Sequence, residues 1–289
     1  MVPHKVVSSP LRYLPTLLAA ATGVIAIAWL VTSAKTEYER DLRLGERQTE
    51  LLATGLEDTA EQQFGEIASE ATLIRLIVDR YRSAAIPDME TLRDQVVASL
   101  DDDSDIVEIF VVDDGVVLAD LPILGERPSG LTVADLSWSD TEAKLSLGSV
   151  NIGAPVALPG RPAYGVPVRF DFASGRTGDR VQIIAIVDPT LVLDAYETLD
   201  LADGSTFAVF RNDGVLLARW PAAPSLIGRK ADGPIFGDRI KTAPSATIRA
   251  NIDDDGNEPI LTYRTSEMWP LVVVAGVPVR GVLESWFAS

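Results

Sequence analysis

Hydrophobic and polar positions follow several rhythms along this chain, and each predicts a different element. From Tyr13 to Ala34 no charged residue interrupts a run of Leu, Ala, Val and Ile. As a helix this run is roughly 33 Å long, enough for a hydrocarbon core of about 30 Å. His4, Lys5 and Arg12 precede it, and Glu37, Glu39 and Asp41 follow it. The positive-inside rule then makes residues 1–12 a cytoplasmic tail, 13–34 a transmembrane helix, and everything after Lys35 extracytoplasmic. A cleaved signal peptide ending near Thr32-Ser33-Ala34 is the competing reading, but the run exceeds the usual apolar core of such a peptide. Either way the bulk of the chain lies outside the cytoplasm.

Residues 35–85 lack proline and predict one long stalk helix. Leu52, Leu56, Ala60, Phe64, Ile67, Ala71, Ile74, Val78 and Tyr81 recur every three or four positions and line one face. The part from Thr36 to Thr54 is more charged and less periodic. It predicts a free stalk whose Leu42, Leu51 and Leu52 are exposed and available to a second copy of the chain. Pro87 breaks the run, and a shorter helix reads from Asp88 through Leu100.

After Leu100 the rhythm changes to short apolar runs. Ile106–Val112 and Val116–Ala119 flank Asp113-Asp114-Gly115, a hairpin signal. Val166, Val168, Phe170 and Phe172 alternate with Pro167, Arg169 and Asp171, as a half-buried strand requires. Val181–Val187 is almost wholly apolar and reads as a central strand. Asp188-Pro189 opens a helix to about Leu199. Phe207–Phe210 and Val215–Arg219 flank Asn212-Asp213-Gly214, and further strands read at Ala246–Ile252, Ile260–Thr265 and Leu271–Val277. A last helical stretch begins at Val279.

Two echoes organise this texture. Asp114-Gly115-Val116-Val117-Leu118-Ala119 recurs as Asp213-Gly214-Val215-Leu216-Leu217-Ala218, and Ala185-Ile186-Val187 recurs as Ala275-Gly276-Val277. The spacing suits two copies of a small module, one over residues 86–198 and one over 199–280. The predicted fold class is α+β, with two tandem antiparallel modules after the stalk.

Composition narrows the chemistry. There are 289 residues, with 25 basic and 42 acidic side chains, no cysteine and one histidine. The acidic balance excludes nucleic acid as a natural partner. The absence of cysteine removes disulfides, thiol nucleophiles and iron–sulfur sites, and His4 stands alone, across the membrane from the folded domain. No phosphate-binding glycine loop or nucleophile motif appears. No cofactor is implied, and an enzyme survives only as a carboxylate-based hydrolase with unassigned residues. Asn251-x-Asp253-x-Asp255-Gly256 imitates half of an EF-hand loop, but Thr262 stands where the twelfth-position Glu belongs, so it reads as a turn between strands.

The second module carries Asp213-Gly214-Val215-Leu216-Leu217-Ala218-Arg219-Trp220-Pro221, then Ile227-Gly228, Tyr263-Arg264 and Pro270-Leu271-Val272-Val273. With the anchor, the long helix and the two modules, these motifs resemble the double Cache (PDC) sensor domains of bacterial membrane receptors such as diguanylate cyclases and histidine kinases. The resemblance covers roughly residues 35–285. It implies PAS-like modules, a periplasmic position on a single-pass inner-membrane anchor, and a small-molecule ligand in the membrane-distal module (86–198). It also implies signalling through a homodimer and an output domain or partner protein. Residues 281–289 would begin an exit helix. The chain stops at Ser289, where a connecting helix should lead back to the membrane, so it is expected to be the sensory portion of a longer product. Action through another membrane receptor, as a non-catalytic adaptor, is the alternative. The amino-acid-binding subset of the family carries Arg-x-Trp-Tyr, whereas this chain has Trp138-Ser139-Asp140 in the corresponding region. The candidate ligand residues are Tyr164, Arg169 and Asp171, with Trp138 as a lid, and a guanidinium there suits a carboxylate ligand. The plainer reading is that Arg169 and Asp171 pair with each other or lie solvated.

Overall fold

A computed structural model describes residues 14–82, 89–100, 104–123, 130–139, 143–145, 148–158, 164–173, 180–197, 199, 201–231, 235–236, 239–249 and 259–279. Helix α1 (Leu14–Arg82) is a single helix of 69 residues. It is followed by α2 (Met89–Val97), close to where proline punctuation put it. The buried stripe of α1 runs Ala53, Leu56, Ala60, Phe64, Ile67, Ala71, Ile74 and Val78, each at most 4% exposed. Its spacing of three and four keeps these side chains on one face.

The stripe begins further toward the N-terminus than the apolar periodicity suggests. Leu42, Gly45 and Thr49 are already buried, and Leu52 is half-buried against the core. This corrects the expectation of a free stalk over Thr36–Thr54 with three exposed leucines, because only Leu51 among them is exposed, at 74%. The small and polar Gly45 and Thr49 carry the contact there, and a hydrophobicity count does not see them. Among the described residues no helix is long and apolar enough to cross a membrane. The expected span 13–34 lies partly outside them, since Tyr13 and the side chains of 14–21 are not described, and the exit stretch 281–289 lies wholly outside. Ile25, Ile27, Trp29, Leu30 and Val31 are exposed apolar side chains on the α1 surface.

Twelve strands form two sheets among the described residues, and all pairs are antiparallel. The first holds β1 (Ile106–Asp113), β2 (Val116–Pro122), β3 (Ala143–Leu145), β4 (Gly148–Ile152), β6 (Tyr164–Ala173) and β7 (Arg180–Val187) in the order β2-β1-β7-β6-β4-β3. The short β5 (Val156–Ala157) pairs with the start of β6. After α3 (Leu191–Glu197) the second sheet holds β8 (Thr206–Arg211), β9 (Leu216–Trp220), β10 (Ser245–Arg249), β11 (Ile260–Thr265) and β12 (Leu271–Val277), in the order β10-β11-β12-β8-β9, with α4 (Arg239–Thr242) before β10. In both sheets a hairpin comes first and the last strand inserts beside its first strand. The two sequence echoes fall at equivalent places: Asp114-Gly115 and Asp213-Gly214 turn the two hairpins, while Ala185–Val187 and Ala275–Val277 lie on the two inserted strands. Gly214 has φ +95, and a Cβ there would meet the Phe236 ring at 3.1 Å, so the turn needs glycine twice over.

One core joins both sheets to α1. Val166, Val168, Phe170 and Phe172 of the first sheet and Phe207, Val209, Val273 and Ala275 of the second share it with the helix stripe. Phe64 meets Trp269 at 5.6 Å between ring centroids, and Tyr196 of α3 meets Phe207 at 4.5 Å. Polar ties run alongside: Thr262 donates to Thr49 at 2.9 Å, Ser266 to Glu61 at 2.6 Å, and Arg264 to Glu57. Replacing Phe64 by Ala should cost about 3–5 kcal/mol in urea unfolding, whereas truncating the exposed Leu76 of α1 to Ala should stay within about 0.5 kcal/mol. Equal effects at the two positions would contradict this packing.

Candidate functional site

The face of the first sheet turned away from α1 presents a row of paired residues, one from each of five strands. Reading across, Asn151 (β4) pairs with Arg169 (β6), Arg169 with Ile184 (β7), Ile184 with Phe110 (β1), and Phe110 with Asp120 (β2). The centre of this face is apolar: Phe110, Val112, Ile184 and Ile186 pack with Leu136, Leu158, Val133 and Trp138. The polar chemistry therefore sits at the two flanks.

At the β6 flank Arg169 donates through Nε to Asp171 Oδ2 at 2.9 Å, and Gln182 donates to Asp171 Oδ1 at 2.6 Å. The Arg169 guanidinium lies over the Trp138 ring, 4.8 Å from its centroid. Arg169 and Asp171 side chains are only 18% and 14% exposed, so the pair is shielded enough to matter more than a surface ion pair. The segment carrying Trp138 is held by β4. The Asn151 side chain, 1% exposed, accepts from Ser139 N and donates to Ser139 O, and Trp138 bridges Gly153.

Three of the four candidate residues, Trp138, Arg169 and Asp171, are thus in one cluster. Tyr164 is not. Strand alternation from Val166 and Val168 places it on the face toward α1, at the start of β6 opposite Ala157. Gln182 and Asn151 complete the cluster and escaped the sequence reading. Gln182 sits in an otherwise apolar strand and Asn151 in a strand too short to show a period.

At the β2 flank, Glu108 is buried and Asp120 lies diagonally across the β1–β2 pairing from it. Withdrawal from water, then the charge and hydrogen bond of Glu108, push the Asp120 carboxyl from 3.8 up to about 6. On the α1 side of the module, burial and then Asp188, Glu66 and Glu70 raise Asp105 to about 6 as well. A separate cleft of about 310 Å³ opens between α1 and the second module, lined in part by Glu57, Glu61, Arg264 and Thr265. Two of its carboxylates are engaged, Glu57 by Arg264 and Glu61 by Ser266. No group of three or more His, Asp or Glu side chains among the described residues is arranged to hold a metal ion. The half-EF-hand segment 251–256 lies outside those residues.

A carboxyl whose folded pKa is raised contributes stability that is complete at low pH and lost as pH rises through the folded value. The melting temperature of the protein should therefore fall between about pH 4 and pH 6 partly through Asp120. Asp120→Asn should flatten that slope and raise the melting temperature at pH 7.5 but not at pH 4. An unchanged slope would show that Asp120 does not hold its proton into that range.

A profile described as a dCache_1-like histidine kinase sensor domain matches residues 192–276. No curated protein matches the sequence. Among solved structures, the extracellular domain of the histidine-kinase candidate rpHK1S-Z16 superposes with a TM-score of 0.65 at 20% identity, covering 85% of this chain and 99% of that one. The periplasmic sensory domain of the Campylobacter jejuni chemoreceptor Tlp1 gives 0.61 at 12% identity, covering 84% and 98%. The ligand-binding domain of the Pseudomonas aeruginosa PAO1 amino acid chemoreceptor PctB, in complex with L-Arg, gives 0.51 at 13% identity, covering 84% and 99%. The superpositions run over both modules and show that the chain has the fold of these sensor domains, and residues 192–276 are similar to the dCache_1-like sensor profile.

Proposed function

We propose that this chain is the extracytoplasmic sensing part of a membrane-bound signal-transduction receptor. Its ligand is a small carboxylate or another small polar metabolite, received by the outer face of the membrane-distal module. The observation that carries this reading is the shielded Trp138–Arg169–Asp171–Gln182 cluster on that face. A guanidinium fixed between an aromatic plane and a carboxylate is pre-oriented, so it recognises a planar anion at low entropic cost. The PctB domain is in complex with L-Arg, whereas this chain carries Trp138-Ser139-Asp140 in place of the amino-acid-binding Arg-x-Trp-Tyr. No catalytic step is assigned to this chain.

The exposed apolar side chains at 25–31 and the uncharged run around them support a single-span anchor. The domain then stands on the periplasmic side of the inner membrane, with an output domain or a partner receptor across it. Leu44 and Leu51, exposed and one heptad apart on α1, support a homodimer through that helix. Sedimentation of the full chain in detergent should then give a dimer that Leu44→Glu with Leu51→Glu converts to a monomer.

A specific observation also favours the adaptor reading: Arg169 and Asp171 already satisfy each other. Thermal-shift measurements on the full chain against organic acids, amines and sugars separate the two. A sensor should be stabilised by one chemical class by mass action, and Arg169→Met should abolish that shift while leaving the ligand-free melting temperature within a few degrees. No shift with any class would favour the adaptor.

A further inference from the structure

One buried cation of the second sheet hydrogen-bonds to the first module. Arg211 ends β8 at the turn Asn212-Asp213-Gly214 and is only 6% exposed. It donates through Nε and Nη2 to the two carboxylate oxygens of Asp213, both at 2.8 Å, which fixes the guanidinium plane. Nη1 then reaches across the module boundary to the carbonyl of Ile152 at 3.1 Å. The Arg211 guanidinium, in turn, holds the Asp213 carboxyl below the usual carboxylate range.

Ile152 is the last residue of β4, and its neighbours are the residues that hold Trp138. Asn151 exchanges two side-chain hydrogen bonds with Ser139, Ala154 N donates to Ser137 O at 2.8 Å, and Gly153 N donates to Pro167 O at 2.7 Å. A Cβ on Gly153 would lie 2.5 Å from Pro167 Cγ and 2.9 Å from Ser137 O, so only glycine lets this strand end sit between both segments. Named contacts thus run without a gap from Arg169 through Trp138, residues 151–154 and Arg211 to the Asp213-Gly214 turn. The strand end at Ile152 has one neighbour on each side, the lid of the distal site and the cation of the proximal module.

We propose that Arg211 is a positioning residue that couples the two modules: it ties the Trp138 segment over the distal site to the hairpin turn of the membrane-proximal module. Movement of Trp138 on occupation of that site shifts residues 151–154 and, through the Ile152 carbonyl, the Arg211–Asp213 pair. This rests on the distal cluster being the sensing site, but the coupling itself exists without ligand and is reciprocal.

Amide hydrogen exchange on the full chain, with no ligand added, tests it. Arg211→Met should speed exchange at residues 137–139 and 151–154 by roughly tenfold, the factor lost with one hydrogen bond to a charged group. Exchange in β12 should not change. In the reverse direction, Trp138→Ala should speed exchange at residues 211–216. Arg211→Lys, which keeps the charge but not the fork, should fall short of rescue. A merely structural Arg211 would loosen residues 211–216 alone. Unchanged exchange at 137–139 in Arg211→Met, or at 211–216 in Trp138→Ala, overturns the coupling. If Arg211→Met does not fold, Asp213→Asn, which loosens the fork from the other side, is held to the same criterion. The sensing reading fails separately, on ligand-induced thermal shifts, so the two failures cannot be confused.

Discussion

The fold depends on one stripe of side chains. Ala53 to Val78 on α1 seals the inner faces of two separate sheets, and neither sheet covers its own inner face. An antiparallel sheet with one apolar face must bury it against another layer, and here a single helix supplies that layer twice. The modules are therefore separate in sequence and in strand pairing but not in their core. The size pattern of the stripe follows from this. Alanines at 53, 60 and 71 bring strands close, while Phe64 fills the space beside Trp269.

With the inner faces committed to the helix, chemistry is left to the outer ones. The outer face of the first sheet is built as an apolar centre between two charged flanks, the Arg169 cluster and the Glu108–Asp120 pair. The outer face of the second is closed by Phe210, Tyr263 and Ile235, with Leu226, Ile227 and Phe236 packed over it. The same topology therefore carries a polar face in one module and a largely apolar one in the other. The two hairpin turns are alike in sequence while the outer faces differ.

Much of this was legible in the residues because it is local. Hairpin turns announce themselves through Asp-Gly, central strands through unbroken apolar runs, and the helix through its period. What escaped is non-local. β3, β4 and β5 have five residues or fewer, so no alternation can build up, and their pairing is decided by partners such as Phe170 and Gly165. The burial of Thr49 depends on a sheet that begins more than 150 residues later. Tyr164 lies only five residues before Arg169, yet the strand period assigns it to the other face. Arg211 gave no signal at all, because an arginine after an apolar run ordinarily ends a strand in water.

The continuity of α1 has a mechanical consequence. With about 1.5 Å of rise per residue, a helix of 69 residues is a rod of roughly 100 Å. Both sheets grip that rod along its second half, so any rotation they impose on it is magnified toward its free end. A tilt of about two degrees becomes a lateral excursion of roughly 1.8 Å over the half of that length beyond the grip. That is the size of the helix displacements by which receptors switch. Sub-ångström adjustments between the sheets and the helix are therefore geared up by leverage alone, with no hinge and no unfolding anywhere along the shaft.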